Sequence, residues 1–312
     1  MVSDKHTPLG PGREFDAIRA WLASLGDAAS GAGDDAAVLD VPAGSKLVVS
    51  TDSSIEGEHF RREWLSPAEI GYRACAAALS DLAAMGAAPL GVLVAIGVSA
   101  RWRDDAAAVM QGIGEAAQHS GTVIVGGDTA GGDALTIGVT VLGHAARPLP
   151  RSRAQPGDII YVTGKLGGPN AALRAWLSGR APDSTHRARF VAPRPRIAAG
   201  LRAAAAGAHA AIDISDGLAA DLRHMAAASG VSIEVDLRAV PVLSGATLDD
   251  ALGGGEEYEL AIAAPSLDTE GFEAAGTPLT AIGAVRAGPA GVTGLKDGAR
   301  VALPGGYDHF SS

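Results

Sequence analysis

Aspartates recur at the ends of apolar runs, with Gly, Ser and Thr as neighbours and almost no basic residues beside them. Asp34 and Asp35 stand in GAGDDAAV, Asp52 in LVVSTDS, Asp81 in ALSDLAAMGA, Asp128 in VIVGGDTAGG, and Asp213 and Asp216 in AAIDISDGL. Each alone has an ordinary reading: a solvated loop, a Ser/Asp turn, a surface position on an amphipathic helix, a tight glycine turn, or a helix N-cap at Ser215 or Asp216. Together they form an oxygen-donor set suited to several hard divalent cations, whose common use is to grip a polyphosphate. Two like charges 4 Å apart repel by ~1 kcal/mol in water and by ~4 kcal/mol at an effective dielectric near 20. Either the carboxylates do not converge, or cations sit among them. Magnesium fits, because it keeps waters and takes a few carboxylates together with phosphate oxygens.

The elements that must position these residues alternate between helix and strand, which gives a mixed α and β class. A short helix is expected over residues 14–25 and a β-branched strand over 46–50, ending at Thr51 and Asp52. Ser66-Pro67-Ala68-Glu69 reads as a capping box with Pro at the first helical position. The helix it opens runs to Gly86 and carries Asp81 near its C-terminal end, where the macrodipole disfavours a carboxylate and a metal ion would compensate. Strand 90–98, helix 104–120, strand 123–125 leading into Gly126-Gly127-Asp128, and strand 135–142 follow. The Pro- and Arg-rich stretch RPLPRSRAQPGD differs in composition from its surroundings and marks a domain boundary near residue 150. The expected organisation is a tail over 1–12, an N-terminal domain over 13–149 and a C-terminal domain over 150–312. The second half restarts with strand 159–163, a Gly-rich segment at 164–169 and a helix from about 171. A helix near 195–206, strand 210–214, a helix opened by Ser215-Asp216-Gly217 and running to 229, strands 231–235 and 259–263, and a turn-rich tail complete it.

Bulk properties narrow the class. The chain has 312 residues, 47% of them hydrophobic and 4% aromatic, so a sizeable core can form on small side chains. A formal net charge of -10 argues against nucleic acid or an anionic membrane as the main partner. An anionic ligand would need metal ions or a local basic patch. A single cysteine, Cys75, forbids an internal disulfide and reads as a core residue in a reducing compartment. The N-terminal residues lack the apolar stretch of a signal peptide, and no long apolar run is present, so a cytoplasmic enzyme is expected.

Other candidates are weaker. Gly164-Lys165-Leu166-Gly167-Gly168-Pro169 lies between a strand and a helix but lacks the Ser or Thr that a Walker loop needs after its lysine, so a structural role is expected. Arg147, Arg151 and Arg153 form a tight basic group that suits either solubility or a nucleotide phosphate. His59 lies near the Asp52 segment. No Ser/His/Asp ordering or Cys/His spacing points to a nucleophilic triad or to zinc.

The motifs taken in order, GDDAAV, STDSSIEGEHF, LSDLAAMGA, GGDT, PGDIIYVTG, AIDISDGLAADL, GGGEEYEL and GYDHF, resemble the thiamine-monophosphate kinase family and span nearly the whole chain. Single motifs are shared with the wider superfamily of aminoimidazole ribonucleotide synthetase and selenophosphate synthetase. The resemblance implies a two-domain fold whose N-terminal sheet pairs with that of a second subunit to make a barrel, so that the chain is a homodimer, with an α/β C-terminal domain. It implies transfer of the γ-phosphoryl group of ATP to thiamine monophosphate, assisted by several Mg²⁺ ions. By position, Asp35, Ser50, Thr51, Asp52, Asp81, Asp128, Asp213 and Asp216 match metal positions, with Asp52 and Asp81 the most critical and Asp34 adjoining the set. Gly127, Asp128, Arg151 and Ser215 match ATP contacts. His59 and Glu256 match substrate contacts, and Tyr307 or Tyr258 is expected to cover the thiazolium, because Pro304 stands where the family commonly has a Trp. Glu257 replaces an Asp of the family pattern, and Ala130 a Thr. Aminoimidazole ribonucleotide synthetase activity, a metal-dependent phosphohydrolase and a binding protein without turnover are the alternatives. Hydrogenase maturation and selenophosphate synthesis call for a cysteine near one end of the chain, which Cys75 is not.

Overall fold

The computed structural model describes residues 13–306, apart from 31 and 33–35. These residues divide into two compact units. The first comprises the described residues up to Leu82 together with Ala88–Ala146. The second comprises Ala83–Ala87 together with the described residues from Arg147 onward.

The first unit is built from α1 (Arg13–Leu25), β1 (Lys46–Ile55), α2 (Pro67–Ala84, which ends in the second unit), β2 (Ala88–Val98), α3 (Ala106–His119), β3 (Ile124–Gly131) and β4 (Thr136–Ala145). Its four-stranded sheet has the order β1-β4-β2-β3. Strands β1 and β2 both run antiparallel to β4, and β2 runs parallel to β3. Strand β4 alternates buried and part-exposed residues, so Ile137, Val139 and Val141 face the core with Val92, Val94 and Ile96. The expected capping box is present: Glu69 accepts from the Ser66 backbone N–H at 2.9 Å, and Ser66 Oγ accepts from the Glu69 N–H at 3.4 Å. Cys75 is fully buried on α2, and burial pushes its thiol up to about 12. Helices α2 and α3 cross on paired glycines. A Cβ at Gly71 would lie 1.9 Å from the Val109 carbonyl oxygen, and one at Gly112 would lie 1.9 Å from that of Ala68.

The second unit contains β5 (Ile159–Thr163), α4 (Gly168–Leu177), α5 (Ser184–Val191), α6 (Ile197–Ala205), β6 (Ala210–Asp213), α7 (Leu218–Ser229), β7 (Ser232–Asp236), α8 (Leu248–Gly253), β8 (Leu260–Ala264), α9 (Thr269–Ala274), β9 (Leu279–Arg286), β10 (Gly291–Lys296) and β11 (Ala299–Val301). Its seven-stranded mixed sheet has the order β11-β10-β7-β9-β5-β8-β6. Alternation sorts the strands between two layers. Ile160, Val162, Ala261 and Ala263 pack with Leu222 and Met225 of α7, whereas Tyr161, Leu260 and Ile262 pack with Ala199 and Ala203 of α6 and Phe272 of α9.

Three expectations about the elements need correction. The strand expected over 46–50, ending at Thr51 and Asp52, continues to Ile55, because β1 pairs with β4 along its full length, from Lys46↔Ala145 to Ile55↔Thr136. The polar STDS stretch is thus inside a ladder, with Thr51 and Thr140 hydroxyls 3.0 Å apart. Likewise β3 runs past Gly126 and carries Asp128 within it, paired to Ala95. The turn-rich tail folds into β9, β10 and β11, whose many glycines sit in strands and tight turns. We predict that Gly112→Ala lowers unfolding stability by about 1–3 kcal/mol through overpacking at the α2–α3 crossing, measured by urea denaturation; an unchanged midpoint would refute the close crossing.

Candidate functional site

In the first unit, Ser50 Oγ donates to Asp81 Oδ2 at 2.5 Å, joining β1 to the last turns of α2. This contact offsets part of the cost of a carboxylate at a helix C-terminus. Asp52 lies two residues on from Ser50 and so shares its sheet face, ~7 Å along the strand. Asp52 Oδ1 accepts from the Ser53 N–H at 2.8 Å. Thr51 points to the other face, with Thr140. Register places Asp128 on that same other face: Ser53, Gly138, Ala95 and Asp128 form one row across the sheet. Asp128 there lines a groove of about 590 Å³ with Ser53, Ala95, Gly97, Asp133 and Thr136. Within the sheet the missing side chain of Gly127 admits the neighbouring strand, because a Cβ would lie 2.0 Å from the Val94 oxygen.

His59 sits in the turn after β1, and its Nδ1 accepts from the Ile55 N–H at 3.2 Å, which leaves the proton on Nε2. Part-buried Glu56 braces this turn. Burial opposes its charge, but Trp102 Nε1, the Leu135 N–H and Arg101 outweigh that and hold its carboxyl below the ordinary range.

In the second unit, the turn from β6 to α7 carries Asp213, Ser215 and Asp216. Neither Ser215 nor Asp216 caps the helix. The N-cap is Gly217, at φ 115, with no side-chain cap. Instead Asp221, 2% exposed, turns back from the first helical turn. Its Oδ2 accepts from the N–H groups of Ser215, Asp216 and Gly217, each at 3.1 Å. Burial, with the charges of Asp213 and Asp216 adding to it, pushes the Asp221 carboxyl up to about 8.

The GGGEEYEL segment is laid against this turn. The Glu256 N–H donates to the Ser215 oxygen at 2.7 Å and the Tyr258 N–H to the Ile214 oxygen at 2.9 Å. Glu256 and Tyr258 adopt positive φ (68° and 52°), a conformation that costs free energy in a side-chain-bearing residue. A Cβ on Gly255 would lie 2.2 Å from the Ser215 oxygen. Tyr258 is buried and its hydroxyl donates to Glu256 Oε2 at 2.5 Å, so it orients Glu256. Arg223 holds the carbonyls of Leu303 and Pro304 at 2.9 and 2.7 Å, bringing the end of the described chain over Asp216.

Below lies a buried ionic layer. Glu259 accepts from Thr163 Oγ1 at 2.6 Å and from Arg189 and Arg196, each at 2.5 Å. Glu257 accepts from the Gly167 N–H, and burial pushes its carboxyl up to about 8. A Cβ on Gly164 would lie 2.2 Å from Glu259 Oε1. The Gly-rich segment thus serves the motif's carboxylates.

Ser50 bonds Asp81 and shares a sheet face with Asp52, while Asp213, Ser215 and Asp216 lie on one turn against which the Glu256 backbone is laid. The Arg151 carbonyl accepts from Ser229 Oγ at 2.9 Å, at the end of α7 opposite the Ser215 turn. Asp34, Asp35 and Tyr307 lie outside the described residues. Among the described residues, no group of three or more His, Cys, Asp or Glu side chains is placed to hold a metal ion by itself. A single converged aspartate pocket is thus not formed within either unit. The donors that do group are oxygens, two carboxylates with a hydroxyl, which is the chemistry that magnesium takes when waters and phosphates complete its shell.

The model of the AIR synthase related protein N-terminal domain matches residues 33–145, and that of the C-terminal domain matches residues 155–296. The thiamine-monophosphate kinase of Salmonella typhimurium is 38% identical over 96% of this chain and 97% of its own length. That of Methanopyrus kandleri is 39% identical over 82% of each. The chain belongs to the thiamine-monophosphate kinase family. Solved structures agree with that placement. The thiamine-monophosphate kinase of Stenotrophomonas maltophilia has a TM-score of 0.79 at 36% identity, over 92% of this chain and 96% of that one. AaThiL complexed with AMPPCP and TMP has a TM-score of 0.75 at 28% identity, over 97% and 100%. The hydrogenase maturation protein HypE, at 23% identity and a TM-score of 0.78, shares the fold. The fold is thus the two-domain, mixed α/β arrangement of AIR synthase-related proteins.

In this thiamine-monophosphate kinase family chain, Asp221 escaped sequence reasoning. Its signal was present: an acidic residue five positions after Asp216, on the first turn of the helix, facing back to exposed N–H groups. A test concerns Glu257. Its carboxyl sits at about 8 in the fold against 4.5 in a free chain, so the folded state retains a proton that the unfolded state releases. The stability from the neutral form is full below pH 4.5 and is lost as pH rises toward 8. Relative to Glu257→Gln, the wild type should lose unfolding free energy across that window, seen in denaturant titrations at several pH values. Parallel curves would exclude a neutral Glu257.

Proposed function

We propose that this chain transfers the γ-phosphoryl group of ATP to the phosphate of thiamine monophosphate, giving thiamine diphosphate and ADP. The observation that carries this reading is the end-to-end correspondence with AaThiL, whose structure holds AMPPCP and TMP, joined to the 38% identity with the Salmonella typhimurium kinase. Transfer is direct and in line, without a phosphoenzyme. The acceptor is a phosphate oxygen that is already anionic near neutral pH, so no side-chain base is required. Catalysis rests on positioning and on neutralising charge.

In this reading Ser50, Asp52 and Asp81 hold magnesium from one face of the first sheet. Thr51 and Asp128 serve a different ion from the other face, with Asp35 completing the first unit's share, and Asp213 and Asp216 add the second unit's. Bound Mg²⁺ ions supply the positive charge that lets two anions approach each other in an acidic protein. Gly127, Asp128, Arg151 and Ser215 contact the nucleotide. His59, Glu256 and Tyr307 contact the thiamine substrate, with His59 held by Ile55 and Glu256 by Tyr258. The two functional domains are 13–149 and 150–312.

The chain acts in the cytoplasm as a homodimer in which two four-stranded sheets close into a barrel. The outward face of β1 supports this, since Leu47 and Val49 are 51% and 53% exposed there and Ile55 continues the row. No helix among the described residues is long and apolar enough to cross a membrane.

An assay with ATP, Mg²⁺ and either thiamine monophosphate, thiamine or an aminoimidazole precursor, with products identified by mass, tests the acceptor; ADP formed with no phosphorylated acceptor would overturn it. Asp52→Asn should lower kcat by at least about 10²-fold with an unchanged denaturation midpoint, and near-normal turnover would remove Asp52 from its role. His59→Ala should raise KM for thiamine monophosphate by about tenfold, near 1.4 kcal/mol of binding, and leave KM for ATP nearly unchanged. Equal changes in both would exclude a substrate-side role.

A further inference from the structure

Three successive backbone N–H groups aimed at one point, at the mouth of a helix, make an anion-binding nest. Residues 215–217 form such a nest where β6 gives way to α7. In a phosphate-handling protein, a phosphate oxygen is the expected occupant. Here the occupant belongs to the chain itself. Asp221 Oδ2 stands 3.1 Å from all three nitrogens. Asp221 is 2% exposed, so solvent does not compete for the position.

Two consequences follow. First, the nest is filled by the chain's own oxygen and so closed to substrate phosphate, which leaves Asp213 and Asp216 as the groups the turn presents to a ligand. Second, with three N–H groups fixed inward, the peptide planes on both sides of Asp216 are set, and with them the direction in which its side chain leaves the backbone. The Ser215 carbonyl is fixed outward by the same arrangement and receives the Glu256 N–H at 2.7 Å. One buried oxygen thereby sets the aim of Asp216 and the anchorage of Glu256.

We propose that Asp221 is a positioning residue for phosphoryl transfer, which fills the anion nest of the β6–α7 turn and so commits that turn to holding cations through Asp213 and Asp216. This rests on the proposed kinase reading, and two readouts of the test do not. Asp221→Asn retains an oxygen able to accept from the three N–H groups, whereas Asp221→Ala empties the nest.

The expected results form a pattern. Asp221→Ala lowers kcat by about 10²-fold and raises the Mg²⁺ concentration at half-maximal rate. In the metal-free protein it shifts the amide resonances of Ser215, Asp216 and Gly217, and it gains binding of inorganic phosphate by calorimetry that the wild type lacks. Asp221→Asn keeps those resonances near their wild-type positions and recovers kcat to within about tenfold of wild type. Equal loss of kcat in the two variants, or an Asp221→Ala protein with wild-type turnover and unmoved amides, would overturn the proposal. Should Asp221→Ala fail to fold, Asp221→Asn decides: activity lost with amides unmoved overturns it, and both retained supports it. The amide and phosphate readouts keep their meaning even if the acceptor is not thiamine monophosphate.

Discussion

Carboxylates held near one another on rigid backbone repel, and several acidic side chains in and around the candidate site are met by a group that steadies them. Asp81, set against the helix dipole, receives the hydroxyl of Ser50. Asp52 takes the N–H of the residue that follows it. Asp221 gathers three N–H groups of the turn it supports. Glu259 lies between two arginines and a threonine hydroxyl. Asp250 completes a capping box with Thr247 and pairs with Arg174, and although burial opposes its charge these partners hold it below the usual carboxylate range. The protein thus separates acids it neutralises internally, deep in the second unit, from acids it leaves with neutral partners near the surface. The second kind is what a cation-dependent chemistry needs.

Much of this was legible in the sequence, and the parts that were not have physical causes. The capping box at Ser66 was readable because it is a local signal, complete within four residues. The core strands were readable through alternation, as in β4, and Cys75 through its Ala-rich surroundings. The ends of β1 and β3 were misjudged because Asp and Gly weaken strand propensity, while pairing partners far along the chain override it. Strands β9 to β11 were hidden in the same way by glycine and short length. Asp221 was hidden for a different reason. Its role depends on backbone donors several residues earlier, and residue type alone does not show where a carboxylate points. The opposite orientations of Asp52 and Asp128 come from cross-strand register, which no local pattern carries.

Family placement and site geometry reach the same region by different routes. The kinase relatives match nearly the whole chain, and the candidate site lies where the backbone does unusual things: positive φ at Glu256 and Tyr258, glycines pressed against carbonyls at 127 and 255, and a helix opened without a side-chain cap at Gly217. Strain concentrated in this way is kept where surrounding contacts over-determine it. In the second unit those contacts converge on Ser215, whose neighbours include the GGGEEYEL segment and whose turn lies beside the end of the described chain.

The burial of Cys75 has a consequence for how the molecule meets its surroundings. A thiol sealed on α2, with its ionisation driven up to about 12, presents almost no thiolate to oxidants or alkylating reagents. Thiol-directed reagents therefore meet no accessible cysteine sulfur in the folded protein. The same sulfur becomes reactive once the first unit opens, so the chain carries its own chemical clock for unfolding, read by the rate at which a thiol dye is taken up.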